Sequence, residues 1–309
     1  MLTREQHEEF DESGITVVQG FLSGDQVQSL KHAIDSVQGD TPYSNTGRWN
    51  LRNCLPRSSC FLDLLVSEKL LAMMVQLLGF NIKLLGSQVV KMAEGSQGES
   101  LTIDWHRDGG ALATELPHPL PKAFVKVGFC ISGSAQPEGG ELLVVPGSKR
   151  LNWDPVVDAG TDWPESFTRV LISPGDVVIF DWRTWHAVSR NSSDVVRRIL
   201  YLMFGFRWLS PMDYQVMPEE LLRKSPLHWQ LLGGSNELGN YLPSDAEVPL
   251  RPFFLDPLQQ ESKRQKKVSS LVEIDNLRER KDWQRLQRSI ERQRSGNLML
   301  ARAIRDKTT

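Results

Sequence analysis

The stretch SPGDVVIFDWRTWHAVSRNSSD, residues 173–194, carries a turn signal, an apolar run, a histidine and a second polar turn cluster in one span. Pro174 and Gly175 punctuate the chain. Residues 177–180 then read as a short strand, apolar without alternation and so buried on both faces. The same texture extends from residue 81 to about residue 208. Its runs are NIKLLGSQVVKMA, LTIDWH, AFVKVGFCIS, ELLVVPGS, TRVLISPGDVVIF and RRILYLMFGFRW. Short strands at regular spacing with Gly and Pro breaks predict an antiparallel sandwich or barrel.

The segments before this region are helical. LTREQHEEFDESG has a Thr cap, a Gln three residues on and a Gly stop. ITVVQGF predicts a brief strand. LSGDQVQSLKHAIDSV repeats the capping signal and spaces Val27, Leu30 and Ile34 along one helical face. Residues 38–60 are rich in Gly, Pro, Ser and Asn and predict a long loop, and DLLVSEKLLAMMVQLLG predicts one helix stopped at Gly79. Helices packed on one outer face of a sheet would explain why DVVIF and ILYLMF are apolar on both sides. There is no internal repeat.

Composition sets the class. With 40% hydrophobic and 24% charged residues among 309, the chain is of the ordinary globular kind. Residues 251–309 hold 15 basic and 8 acidic side chains, so the 250 residues before them carry a net −9 of the overall −2. An acidic domain over residues 1–250 and a basic, helical or partly disordered tail over 251–309 are therefore expected. Leu271, Ile274, Leu277, Leu286 and Ile290 give that tail a sparse helical stripe. Trp283 alone does not make a stacking surface, so nucleic acid is not an expected partner. Cys54, Cys60 and Cys130 form no disulfide framework and no zinc-like pattern. The charged N-terminus, the absence of an apolar run near the roughly 18 residues of a membrane span, and the C-terminal DKTT predict a cytoplasmic protein with no membrane partner.

Of six histidines, His7 and His32 fall in helical patterns, His118 sits between prolines and His228 lies late in the chain. Packing and surface roles suffice for those. His106 and His186 differ in their company. In LTIDWHRDGG a strand would point His106 and Asp108 to one face, since residues i and i+2 share a side. His186 stands beyond another strand. Two histidines and a carboxylate on separate strands form the facial triad of non-heme Fe(II) oxygenases, which leaves three metal positions open. An α-keto acid in those positions needs its far carboxylate held, and the planar guanidinium fork does that best. Arg197 and Arg198 lie on the strand after His186 and, as neighbours, face opposite ways. Structural salt bridges would also account for either one.

These segments together resemble the phytanoyl-CoA dioxygenase-like family of Fe(II)/2-oxoglutarate oxygenases. The resemblance rests on WHRDGG, KVGFCIS…PEGGELLVVPGSKR, SPGDVVIFDWRTWHAVSRN and RRILYLMF, with an N-terminus of similar pattern, and covers residues 2–210. It implies a double-stranded β-helix, or jelly-roll, mainly β with flanking helices. It implies iron held by His106, Asp108 and His186, and 2-oxoglutarate gripped by Arg197, eleven residues after the distal histidine. Gln88 and Arg52 match cosubstrate-contacting regions more loosely. The chain has PGSKR at 146–150 where the family often has PGSH, a change expected at the rim rather than the iron, and the basic tail has no counterpart. Halogenating relatives replace the carboxylate ligand with a small residue, so Asp108 argues for oxygenation. The missing peroxisomal address argues against phytanoyl-CoA as substrate.

The expected activity is oxidation, most often hydroxylation, of a small-molecule metabolite or natural-product intermediate by Fe(II), 2-oxoglutarate and O2, with release of succinate and CO2. Arg48, Trp49, Trp105 and Lys126, with Arg52, are candidates for the substrate side, although packing and loop salt bridges would explain each. Two other readings stand beside this one: a non-catalytic jelly-roll binding module, and a protein-side-chain hydroxylase recruited through the basic tail.

Overall fold

Sequence runs that are apolar on both faces become the middle strands of a six-stranded antiparallel sheet. The computed structural model describes residues 1–96, 103–151, 157–158, 163–213, 217–234 and 247–255. In chain order the strands are β1 (Ile15–Val18), β2 (Arg48–Arg52), β3 (Ile82–Met92), β4 (Phe124–Ser132), β5 (Leu142–Val144), β6 (Val157–Asp158), β7 (Trp163–Pro164), β8 (Thr168–Val170), β9 (Val177–Asp181), β10 (His186–Val188) and β11 (Arg197–Phe206). The large sheet has the order β1-β9-β4-β11-β3-β2, a smaller one has the order β10-β5-β8, and β6 pairs with β7. All the pairings are antiparallel.

The sheets share one core. Ile15, Cys130, Val178, Phe180, Ile199 and Tyr201 from the large sheet pack with Leu142, Val144 and Val170 from the small one. The other face of the large sheet is covered by helices, as the apolar runs of β9 and β11 require. α2 (Gly24–Gln38) packs on β4, α4 (Glu68–Leu78) on β11 and α7 (Pro226–Leu231) on β3. α1 (Arg4–Ser13) begins with a capping box between Thr3 and Gln6 and ends at Gly14, φ 89°. α2 repeats the box with Ser23 and Gln26 and buries Val27, Leu30 and Ile34. The remaining helices of this unit are α3 (Ser59–Leu65), α5 (Ala111–Glu115) and α6 (Glu219–Leu222).

Four local expectations are corrected. The 38–60 loop contains β2 and a 3-10 turn at Leu55–Arg57. The polar RWNLR has little strand signal of its own, and its order comes from pairing along β3, with Leu51 opposite Val89. The single helix over 63–79 is two helices, because Ser67 (φ −57°, ψ 121°) leaves the helical region and starts α4 anew. TRVLISPGDVVIF is split between sheets, β8 in the small and β9 in the large, by the turn at Pro174 and Gly175. LTIDWH is not a strand over its described part: His106 makes only an isolated bridge to His186.

The chain divides into two compact units, Met1–Leu242 and Pro243–Thr309. Of the second, α8 (Leu250–Leu255) carries an edge-on contact between Phe253 and Phe254 at 5.0 Å. The stripe from Leu271 to Ile290 and Trp283 lie outside the described residues. No helix among the described residues is long and apolar enough to cross a membrane.

Candidate metal centre

At Asp181 the chain leaves the large sheet, turns, and joins the small sheet at His186. The turn is locked by the buried Asp181 carboxylate, which accepts from the Arg183 backbone N–H at 3.0 Å and from Arg183 Nε at 2.8 Å. His186 pairs with Val144 of β5 on one side. On the other it exchanges two backbone hydrogen bonds with His106, each 2.9 Å. The two rings come within 4.5 Å, centroid to centroid.

Both rings are oriented by the chain that precedes them. His186 Nδ1 lies 2.9 Å from the Thr184 carbonyl and His106 Nδ1 lies 2.9 Å from the Asp104 carbonyl. A carbonyl only accepts, so each Nδ1 carries the proton and each Nε2 presents a lone pair. That is the arrangement of metal-ligating histidines. Asp108 follows two residues after His106, at a turn rather than in a strand. Gly109 (φ 98°) makes the turn possible, since a Cβ there would fall 2.8 Å from the Trp182 ring. The Asp108 carboxylate lies 3.8 Å from His186 Nε2 and accepts from Lys126 Nζ at 3.1 and 3.2 Å. One donor atom from each of His106, Asp108 and His186 lies within 4.8 Å of the others.

The electrostatics suit a cation. Burial pushes the His186 imidazole down to about 4, and the charges of His106 and Lys126 add to that against the pull of Asp108. It is therefore a neutral donor near pH 7. Burial works to raise the Asp108 carboxyl, but Lys126 and the two histidines outweigh it and hold it below the usual carboxylate range. Two imidazoles and one carboxylate are the donor set that divalent iron takes, with positions left open.

Across β2, β3 and β11 the registers place Arg48 and Arg197 on either side of Met92, in one row on the core side of the large sheet. Arg197 is 1% exposed. Its Nε donates to Ser134 Oγ at 3.2 Å, Nη2 donates to Tyr201 OH at 3.0 Å, and Nη1 points at Met92 Sδ at 4.0 Å. None of these is an anion. Arg198 faces the other way and takes both oxygens of Asp35 on α2, at 2.8 and 3.0 Å, beside Lys91. So one arginine of the pair is a structural salt bridge, and the other is a buried cation whose partners among the described residues are all neutral. Arg48 adds to that charge. Its Nε is buried without a partner, and burial followed by the charge of Arg197 lowers its pKa.

The other expected residues scatter. Gln88 stands opposite Tyr201 and Arg52 and donates to Asn50 Oδ1 at 2.8 Å. Arg52 is exposed. Trp49 pairs with Lys91 and faces away from Arg48 and Arg52, so it lies off this face. Trp105 stacks on Trp185 at 5.5 Å and meets Phe167 edge-on at 5.9 Å. Lys126 joins the parts. Besides Asp108, its ammonium sits 5.0 Å from the centroid of the Tyr201 ring, whose hydroxyl holds Arg197. Ser134, Met92 and Tyr201 have no motif to announce them. A tyrosine inside the apolar ILYLMF run, on the same side as Arg197, is the one sign the sequence offers.

The unusual PGSKR has a local explanation. Lys149 Nζ donates to the Phe10 carbonyl and Arg150 Nη2 to the Asp11 carbonyl, both at 2.6 Å. These are carbonyls near the C-terminal end of α1, which has no basic residue in its own last turn.

Residues 10–199 match the family model of phytanoyl-CoA dioxygenase. No curated protein sequence matches the chain. Among solved structures, HygX from Streptomyces hygroscopicus, crystallised with nickel, 2-oxoglutarate and hygromycin B, is 20% identical with a TM-score of 0.55, over 69% of this chain and 90% of its own. The α-ketoglutarate-dependent carbocyclase SnoK of nogalamycin biosynthesis is 19% identical with a TM-score of 0.55, over 70% and 95%. The epimerase SnoN, in complex with Fe3+, α-ketoglutarate and nogalamycin RO, is 19% identical with a TM-score of 0.53, over 66% and 83%. These three share the fold. Matched over well more than half of its length, the chain belongs to the phytanoyl-CoA dioxygenase family and is an oxygenase dependent on Fe(II), 2-oxoglutarate and O2.

Proposed function

We propose that the protein hydroxylates a small molecule, with a double-stranded β-helix formed by its large and small sheets as the catalytic body. Residues 1–250 would make up that body and residues 251–309 a separate basic appendage. One observation carries the reading. A cluster of two imidazoles and a carboxylate is joined through Lys126 and Tyr201 to a buried arginine that has no carboxylate partner among the described residues.

His106, Asp108 and His186 would hold Fe(II). With 2-oxoglutarate and O2 the metal supplies oxidation of a C–H bond, coupled to decarboxylation of the keto acid to succinate and CO2. The chain does the positioning. Thr184 and Asp104 fix the two rings through their Nδ1 protons. Lys126 neutralises the Asp108 carboxylate through both of its oxygens. Arg197 would take the far carboxylate of 2-oxoglutarate on the guanidinium protons that its neutral partners leave free, with Arg48 deepening the positive potential at that end. Gln88 and Arg52 lie along the same face toward the edge strand. Trp105 and Lys126 remain on the substrate side, and Trp49 does not. Retention of Asp108 supports oxygenation over halogenation. The small molecules in the HygX and SnoN crystals support a substrate of that class.

Anaerobic addition of Fe(II) and 2-oxoglutarate should produce a weak visible charge-transfer band in the wild type that His106→Ala abolishes. Mass spectrometry of candidate substrates should show the gain of one oxygen with stoichiometric succinate. A missing band, or one undiminished in His106→Ala, refutes the assignment.

A further inference from the structure

The donors around Arg197 are not all matched by acceptors among the described residues. The guanidinium has five N–H groups. One reaches Ser134 Oγ, one reaches Tyr201 OH, and a third points at a sulfur. Because Nη2 donates to the Tyr201 oxygen, the phenol's own proton is left to find an acceptor. Tyr201 is 6% exposed, and no acceptor for that proton exists among the described residues. Leaving a buried donor without an acceptor is unfavourable, so such groups have a reason to persist.

The ring is held where it is by its neighbours. Gly128 stands directly opposite Tyr201 on β4, and a Cβ there would lie 2.7 Å from the Tyr201 ring. The absent side chain makes the slot in which the ring lies. Lys126, on the same strand and face, sits against the ring from the side of Asp108. Tyr201 thus spans the ground between the donor cluster and the buried guanidinium, with its hydroxyl at the guanidinium end.

We infer that Tyr201 is a cosubstrate-binding residue: its hydroxyl accepts from Arg197 and donates to the distal carboxylate of 2-oxoglutarate. This rests on the assignment of Arg197 as the cosubstrate anchor. A carboxylate placed before Nη1 and Nη2 of Arg197 offers lone pairs to the unspent guanidinium protons and to the phenol together. It closes the inventory that the protein leaves open. Ser134, at the Nε edge of the same guanidinium, fixes the fork from the opposite side.

Calorimetric titration of Ni(II)-loaded protein tests this without turnover, using 2-oxoglutarate and pyruvate, which lacks the distal carboxylate. Tyr201→Phe should bind 2-oxoglutarate roughly ten- to a hundredfold more weakly, the range for losing a hydrogen bond to a charged acceptor. Pyruvate affinity should not change. As a second measurement on the wild type, 2-oxoglutarate should produce a tyrosine ultraviolet difference spectrum that pyruvate does not. Wild-type affinity for 2-oxoglutarate in Tyr201→Phe, or equal losses for both ligands, overturns the inference. Failure of the underlying assignment looks different: Arg197→Met would then bind 2-oxoglutarate as well as the wild type.

Discussion

Lys126 and Asp108 form a two-point ion pair, with the ammonium 3.1 and 3.2 Å from the two carboxylate oxygens at the heart of the donor cluster. Lys126→Met therefore strands a mostly buried carboxylate. Metal-free Lys126→Met should lose roughly 3 kcal/mol, near the lower end for breaking a buried pair, because both groups keep an edge to solvent. Ni(II), which replaces the missing positive charge, should raise its melting temperature by more than it raises that of the wild type. Equal shifts in the two proteins would show that the pair is not a stand-in for metal.

The buried His186 ring predicts a pH dependence of defined sign. Its folded pKa of about 4 lies below the ordinary histidine value of 6.5, so the unfolded chain binds the extra proton more readily. The neutral ring's contribution is complete above pH 6.5 and is lost as pH falls from 6.5 toward 4. Over that window metal-free protein should lose about 3 kcal/mol beyond the loss seen in His186→Asn. Denaturant midpoints of both proteins across the window measure the difference, and parallel curves would contradict it.

Neighbouring arginines should respond in opposite ways. Arg197→Met removes a buried charge that has no carboxylate partner among the described residues, so the metal-free protein should be within about 1 kcal/mol of the wild type or more stable. It should nevertheless lose 2-oxoglutarate binding. Arg198→Met strips Asp35 of two hydrogen bonds and should cost on the order of 1–2 kcal/mol, with 2-oxoglutarate affinity retained. Thermal melts and ligand titrations on the two variants decide it. A marked loss of stability in Arg197→Met would mean that an unrecognised anion already pairs it.

Gly109→Ala should damage the centre without touching a donor atom. The added methyl meets the Trp182 ring at 2.8 Å and the residue must hold φ 98°. The strain is of the order of 1–3 kcal/mol, and relief of it displaces Asp108. Metal affinity, read by Ni(II) titration, should fall at least tenfold, in the range for disturbing the support of a ligand. Gly110→Ala is the control for crowding, since a Cβ there meets nothing within 4 Å.

Much of this site was legible because its chemistry needs particular side chains at particular separations. Residue type, spacing and the β texture between them singled out His106, Asp108 and His186 together with the pair Arg197 and Arg198, and only the family resemblance preferred Arg197. The reason given for His106 and Asp108 converging was a shared strand face, and the structure replaces it with a single bridge followed by a glycine turn. β2 was read as loop because RWNLR becomes a strand only against β3, a tertiary effect with no local signal. Trp49 was misplaced for the same reason: without the strand, its face could not be known. Tyr201 went unnoticed because an aromatic in an apolar strand reads as core, and its function depends on which of its hydrogen bonds is unfilled.

The backbone bridge between His106 and His186 joins residues eighty positions apart, one of them the first residue of a strand of the small sheet. Ordering so long a loop is among the slower events in assembling such a topology. The donor cluster is thus held together by a long-range contact, and a metal that binds it stabilises the fold by mass action. Iron supply would set not only how much of this protein is active but how long each molecule survives before it unfolds.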